Sequence, residues 1–116
     1  MVNGGGEMKL RTAIKLLGGK IKVLGHEYEI LFPYIFTERA DIKGQCDHDL
    51  RQIKIVEHDS CGNKFPESSL WQVFIHEVVH LVDEMSGHNV FDEKEGAIDS
   101  FAEIIIAILK DNGILQ

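Results

Sequence analysis

One segment of the chain, from Leu70 to Met85, carries apolar side chains at the spacing of a helix that packs one face against a core. A proline and a capping pattern just before the segment, and Gly87 just after it, are typical helix start and stop signals. They predict a helix from about Pro66 or Ser69 to Met85. The rest of the chain must therefore supply a core that covers the apolar stripe formed by Leu70, Phe74, Val78, Leu81 and Met85.

The face of this helix that points away from the stripe carries His76 and His80, the two histidines of the motif His76-Glu77-Val78-Val79-His80. Side chains four residues apart lie one turn apart on the same helix face, so the two histidines can bind one metal ion together. An H-E-x-x-H helix is typical of sites where zinc lowers the pKa of a bound water and the glutamate accepts its proton. The motif therefore predicts zinc binding by His76 and His80 and a general-base role for Glu77; the alternative is a surface helix with two solvated histidines.

A catalytic zinc site needs a third protein ligand and one open position, and the residues after the motif offer two candidates. His88 follows Gly87, so it could reach the metal only through a loop that turns straight back. Glu95 lies on a last predicted helix, which begins at Asp92 and ends at Asn112-Gly113. We favour Glu95 as the third ligand.

Asp99 lies one helical turn after Glu95, and two carboxylates at that spacing repel each other on an isolated helix. The pair is better explained if Glu95 faces a cation and Asp99 accepts a hydrogen bond from the second ring nitrogen of a metal-binding histidine, which orients the ring. The alternative is a capping box between Asp92 and Glu95, with both acids favoured by the positive end of the helix.

Between residues 20 and 57 the apolar pattern changes to alternation, which predicts two β-hairpins. The first pairs Lys20–Leu24 with Glu27–Phe36, and the second pairs Lys43–Cys46 with Leu50–Glu57 around an Asp47-His48-Asp49 turn. A strand at Ile53–Val56 could be a sheet edge to which an extended substrate adds, or an internal strand. A short helix over Met8–Leu17 precedes the hairpins, so the fold class is α+β.

Composition limits the classes of protein to which the chain can belong. Its 116 residues, 44% of them hydrophobic, suit one compact domain at residues 20–116, preceded by a tail and short helix at residues 1–19. A net charge of -7 argues against direct binding to nucleic acid. The two cysteines, the lack of a signal-peptide core and the short apolar runs predict a cytoplasmic protein that does not engage membranes. The oligomeric state is left open.

The motif His76–His80, followed by Glu95-x-x-x-Asp99-x-Phe101-Ala102, resembles the gluzincin arrangement of the ImmA/IrrE-type metallopeptidases. It is more closely similar to small zinc-peptidase-like proteins of phages and prophages, over about residues 20–112. The resemblance implies a minimal zincin fold, in which a small, mostly antiparallel sheet packs on the motif helix and a C-terminal ligand-bearing helix. It also implies zinc bound by His76, His80 and Glu95, with Glu77 as general base and Asp99 in support.

Two functions follow as hypotheses. The first is a zinc-dependent metallopeptidase that hydrolyses a peptide or protein substrate, which by resemblance could be a regulator such as a phage repressor. The alternative is a zinc-stabilised protein-binding module with little or no hydrolysis, although a structural site has no use for Glu77.

The sequence does not firmly assign a residue that stabilises the oxyanion. His58 either donates a hydrogen bond to the oxyanion or is an ordinary solvated histidine in a loop. Cys46 is either a small buried residue or an inhibitory thiolate.

Overall fold

The computed structural model describes residues 8–37, 41–92 and 94–115. Within these ranges the chain forms three helices and one four-stranded sheet, which confirms the α+β class. The helices are α1 (Leu10–Leu16), α2 (Glu67–Ser86) and α3 (Glu95–Asp111), and the strands are β1 (Lys20–Val23), β2 (His26–Leu31), β3 (Gly44–Asp47) and β4 (Gln52–Ile55).

The sheet is mixed, with the strand order β1-β2-β4-β3. Strands β1 and β2 pair antiparallel, as do β3 and β4, whereas β2 and β4 pair in parallel. The two predicted hairpins therefore form, and they join through a parallel pair. Because β4 lies inside the sheet, the Ile53–Val56 segment is an internal strand, and β3 takes the edge position beside α2.

The core lies between one face of the sheet and the helices α1 and α2. On α2, Leu70, Phe74 and Leu81 are buried, and Val78 and Met85 pack at the margin, which confirms the predicted stripe. The sheet contributes Tyr28, Ile30, Ile53 and Ile55, and α1 contributes Leu10 and Ile14. Full burial of a large aliphatic side chain stabilises a fold by roughly 1.5–3 kcal/mol, so this cluster holds α2 firmly on the sheet.

Helix α1 is attached to the start of α2 by specific polar contacts as well as by packing. The backbone N–H of Leu10 donates to Oε1 of Glu67 at 2.9 Å, and the indole N–H of Trp71 donates to the carbonyl of Met8 at 2.9 Å. Arg11 donates to both carboxylate oxygens of Glu57, each at 2.8 Å. The first two contacts hold the N-terminal end of α2, and the third holds α1 to the segment between β4 and α2.

The predicted boundaries differ most from the structure at the end of β2 and at the start of α3. Strand β2 ends at Leu31 rather than Phe36, because Pro33 has no N–H to continue the ladder. Helix α3 begins at Glu95 rather than Asp92, which has a left-handed φ of 47°. The preceding turn is held by Asp83, whose carboxylate accepts the N–H groups of Val90 and Phe91 at 2.6 and 3.1 Å.

The length and hydropathy of the helices also bear on the membrane prediction. Over the described ranges, no helix is long and apolar enough to cross a bilayer.

Candidate metal centre

Helices α2 and α3 pack side by side and bring the predicted ligands together. On α3, Ile98 and Ala102 are buried, at 1% and 0% exposure, and they form the apolar face of the helix. Glu95 and Asp99 lie on the same side of α3, three residues before each of these positions. Packing of α3 on α2 therefore places both carboxylates opposite the histidines of the motif.

Three side chains converge on one point between the helices. The Nε2 atoms of His76 and His80 lie 3.2 and 2.8 Å from the same carboxylate oxygen, Oε2 of Glu95. The two rings have their centroids 4.8 Å apart. Among the described residues, this is the one group of three whose donor atoms all lie close enough to share an ion, within 4.8 Å of one another. Two imidazole nitrogens and one carboxylate oxygen form a donor set that zinc accepts in catalytic sites with an open fourth position.

Asp99 fixes the chemical state of the first histidine. Its Oδ1 atom lies 2.6 Å from Nδ1 of His76, and a carboxylate can only accept, so Nδ1 carries a proton. In the neutral ring Nε2 is then a bare lone pair that faces the Glu95 oxygen, which is also an acceptor. Two acceptors at 3.2 Å repel each other unless a cation lies between them, whether a proton on Nε2 or a metal ion.

Neither predicted capping box forms. Helix α3 starts with Lys94 as its N-cap and has no side-chain cap hydrogen bond, so the Glu95 carboxylate is free to face the histidines. Ser69 and Gln72, the capping pattern at the start of α2, do not pair either: the side chain of Gln72 donates to the backbone carbonyl of Asp99 at 3.1 Å. Both findings favour the interpretation in which α3 is positioned to carry ligands.

Glu77 is buried beside this group, at 7% exposure. Strand β3 passes directly over it: a Cβ atom at Gly44 would lie 3.3 Å from Oε2 of Glu77 and 2.6 Å from Cγ1 of Val73. Glycine is therefore required at the point where the edge strand crosses α2. Burial raises the pKa of Glu77 to about 7; His80 lowers this pKa and Glu95 adds to the rise.

Two recesses open on either side of Glu77 and Glu95 and together form a cleft between β3 and the helices. One has a volume of about 280 Å³ and extends past His80 towards the C-terminal end of α2. The other has a volume of about 340 Å³ and extends past His76 towards Lys43. We refer to the first as the His80 recess and to the second as the His76 recess. A chain in extended conformation could lie along β3 through both.

Other candidate residues from the sequence lie elsewhere or have an ordinary role. His88 is exposed in the turn after α2 and is not in the three-residue group. His58 lines a separate groove formed by residues 33–36 and the segment that follows β4. Cys46 lines the His80 recess, but burial and the nearby carboxylates, Glu77 first among them, raise the pKa of its thiol to about 12. The thiol is thus protonated at neutral pH, as a small apolar residue would be.

Sequence reasoning missed the position of His48. The predicted hairpin turn is confirmed, since Leu50 N–H donates to Oδ1 of Asp47 at 3.0 Å. However, the His48 ring lies in the His80 recess, where Nε2 is 2.5 Å from Oε2 of Glu84. Strand alternation could have indicated this, because residues 44, 46 and 48 share the face that points at α2.

Comparison with known proteins adds no assignment: no family model, curated protein or solved structure matches this chain. The gluzincin resemblance therefore stays a prediction from the motifs.

Proposed function

We propose that this chain is a zinc-dependent metallopeptidase of the gluzincin type. The observation that carries the proposal is the convergence of His76, His80 and Glu95 on one point beside a buried Glu77. A structural metal site needs only ligands, whereas this site also has a carboxylate at the position of a general base and opens into a cleft.

Zinc held by the three ligands would polarise the substrate carbonyl and activate water. Glu77 accepts one proton from the attacking water as the new C–O bond forms at the carbonyl carbon. It then delivers that proton to the amide nitrogen as the C–N bond breaks, which gives a carboxylic acid and an amine. Asp99 keeps the His76 ring oriented throughout by holding its Nδ1 proton.

The edge strand β3 suits an extended peptide substrate. The N–H of Val56 donates to the carbonyl of Lys43, so the backbone groups of residues 43, 45 and 47 face β4. By alternation, those of Gly44 and Cys46 point to the open edge, over the cleft. A peptide that pairs with these groups would lie beside Glu77 and the ligand group.

A zinc-stabilised protein-binding module is the second candidate, and one observation favours it. Helix α3 exposes an apolar stripe, with Phe101, Ile104 and Ile108 at 47%, 56% and 53% exposure. Exposed apolar patches of this kind are typical of interaction surfaces. In that function the metal would only hold α3 in place, and Glu77 would have no role.

Zinc stoichiometry of the purified protein is the first test. We expect about one zinc per chain, loss of zinc in Glu95→Ala, and retention in His88→Ala, which serves as the control. A wild-type protein without zinc, or loss of zinc in His88→Ala alone, would contradict the proposed site.

Glu77→Gln separates the two functions. It keeps the size and burial of the side chain, so we expect zinc and folding to be retained. Cleavage of a quenched-fluorescent peptide library should fall at least ~100-fold. Unchanged cleavage by Glu77→Gln would contradict the catalytic role of Glu77. A wild type that binds zinc but cleaves no peptide would favour the binding module.

A further inference from the structure

His48 lies in the His80 recess together with Glu77, His80 and Glu95, although it comes from the turn between β3 and β4. Its side chain is 25% exposed, so the ring is mostly enclosed but reaches the open space of the recess. Within the described chain, the motif histidines and His48 are the three histidines that line the cleft. His76 and His80 already face Glu95, which leaves His48 without a role in the ligand group.

The contacts of His48 determine which of its nitrogens carries a proton. Nε2 faces Oε2 of Glu84 at 2.5 Å, and because an ionised carboxylate only accepts, Nε2 must be the donor. Nδ1 lies 3.3 Å from the hydroxyl of Tyr28, which can donate to it. Tyr28 is buried, at 4% exposure, and its ring meets the imidazole edge-on with the centroids 6.1 Å apart. The ring of His48 is therefore oriented from the core and presents an N–H to the recess.

The present acceptor of this N–H is weakly held. The side chain of Glu84 is 62% exposed, and exposed ion pairs contribute little to stability. Glu84 can turn into solvent when another anion arrives in the recess. The N–H of His48 is thus kept in the correct tautomer by Glu84 and is available to a better-placed acceptor.

We propose that His48 is a catalytic residue that donates a hydrogen bond from Nε2 to the oxyanion that develops on the carbonyl oxygen of a cleaved peptide. Tyr28 and Glu84 are the positioning residues that set its orientation and tautomer. The inference rests on the proposed peptidase function. His48 is then the hydrogen-bond donor to the oxyanion that the sequence did not assign. It takes the place of the candidate His58, which lines a different groove. A fixed donor aimed at developing charge is among the largest single contributions to acyl transfer.

The test compares two inhibitors of the same dipeptide sequence on the zinc-loaded protein. A phosphonamidate carries the tetrahedral anion of the transition state, whereas a hydroxamate chelates zinc through a planar group. We expect His48→Ala to weaken phosphonamidate binding by about 10–100-fold and hydroxamate binding by less than about twofold. His48→Gln, whose amide N–H can donate, should recover part of the loss. His58→Ala is the matched control and should change neither affinity.

Tyr28→Phe provides a second variant if His48→Ala folds poorly, because it keeps the buried ring and removes only the hydroxyl. It should weaken the phosphonamidate selectively, and by a smaller factor. Equal weakening of both inhibitors by His48→Ala would overturn the proposal, since it would indicate general binding or a structural role. No change with either inhibitor would also overturn it. A zinc-loaded wild type that binds neither inhibitor would refute the peptidase function itself.

Discussion

The Nδ1–H group of His76 donates a hydrogen bond to the carboxylate of Asp99 at 2.6 Å, which directs the Nε2 lone pair of that ring at Glu95. Two carboxylates on one face of α3, Asp99 and Glu95, therefore contact the two ring nitrogens of His76 on α2. This relationship allows the proposed metal site to be tested without removal of a candidate ligand.

Asp99→Asn should weaken zinc binding while leaving all three ligands in place. The amide is neutral and can present its N–H₂ group to Nδ1, which would favour the wrong tautomer of His76. Loss of such a supporting hydrogen bond typically weakens metal affinity by about 10–100-fold. Competition with a chromophoric chelator measures the affinity, and Asp111→Asn, at the far end of α3, is the control. An unchanged affinity would show that Asp99 does not orient the ring.

Gly44→Ala should destabilise the fold, because its Cβ would lie 2.6 Å from Cγ1 of Val73. Overpacking of this kind costs about 1–3 kcal/mol, and it would push β3 away from Glu77. The free energy of unfolding from urea titration checks this. Gly96→Ala, where a Cβ meets nothing within 4 Å, is the control and should be neutral or stabilising. The double variant with Val73→Ala should recover much of the loss; if it does not, the close approach is not the cause.

Asp83→Asn should loosen the turn before α3, since Asp83 is 8% exposed and binds two backbone N–H groups. Hydrogen bonds to a charged group contribute about 1.5–3 kcal/mol, and the amide keeps only part of that. We also expect weaker zinc binding, because the turn positions Glu95. Hydrogen exchange at Val90 and Phe91 should accelerate. Asp92→Asn, at an exposed left-handed residue that asparagine tolerates, should behave as wild type in all three measurements.

Glu67 should make the free energy of unfolding fall as the pH is lowered into the acid range. Burial alone would raise the pKa of Glu67, but hydrogen bonds from Lys64 and from the N–H of Leu10 outweigh it and lower the pKa. A lowered folded-state pKa means that the stabilisation is complete above the unfolded value of about 4.3 and is lost as the pH falls through the folded value.

We therefore expect Glu67→Gln to be about 1 kcal/mol less stable than wild type at pH 7 and to approach it at pH 3. Urea titrations at the two pH values provide the comparison. Glu27→Gln removes a carboxylate that pairs with Lys20 on the surface, so it should show little difference at either pH. If the difference in the free energy of unfolding between wild type and Glu67→Gln is as large at pH 3 as at pH 7, the pKa of Glu67 is not lowered by folding.

Local pattern was sufficient to predict the elements that are set by nearby residues. The stripe from Leu70 to Met85 fixed the extent and inner face of α2, and the spacing of His76, His80, Glu95 and Asp99 indicated a group that the structure does bring together. In each case the residues recur at the period of a helix, and this spacing is visible in the sequence itself.

Boundaries set by distant contacts could not be predicted in this way. The start of α3 depends on the carboxylate of Asp83, which belongs to the preceding helix. The contacts of His48 depend on Tyr28 and Glu84, which lie 20 and 36 positions away along the chain, and on how β3 crosses α2. The parallel pairing of β2 with β4 likewise follows from the packing of two hairpins. Such relationships appear only once the tertiary fold is known.

The three candidate ligands come from one short stretch of chain, since His80 and Glu95 are separated by 15 positions. Closing a flexible loop of that length costs roughly 2–3 kcal/mol in entropy, and the packed helical hairpin has already met that cost before any ion arrives. The effective concentration of Glu95 at the two imidazoles is therefore set by α2 and α3 alone. An ion held by these residues would escape once this hairpin opens, while the sheet stays folded, so we expect metal exchange and global unfolding to be separate kinetic events.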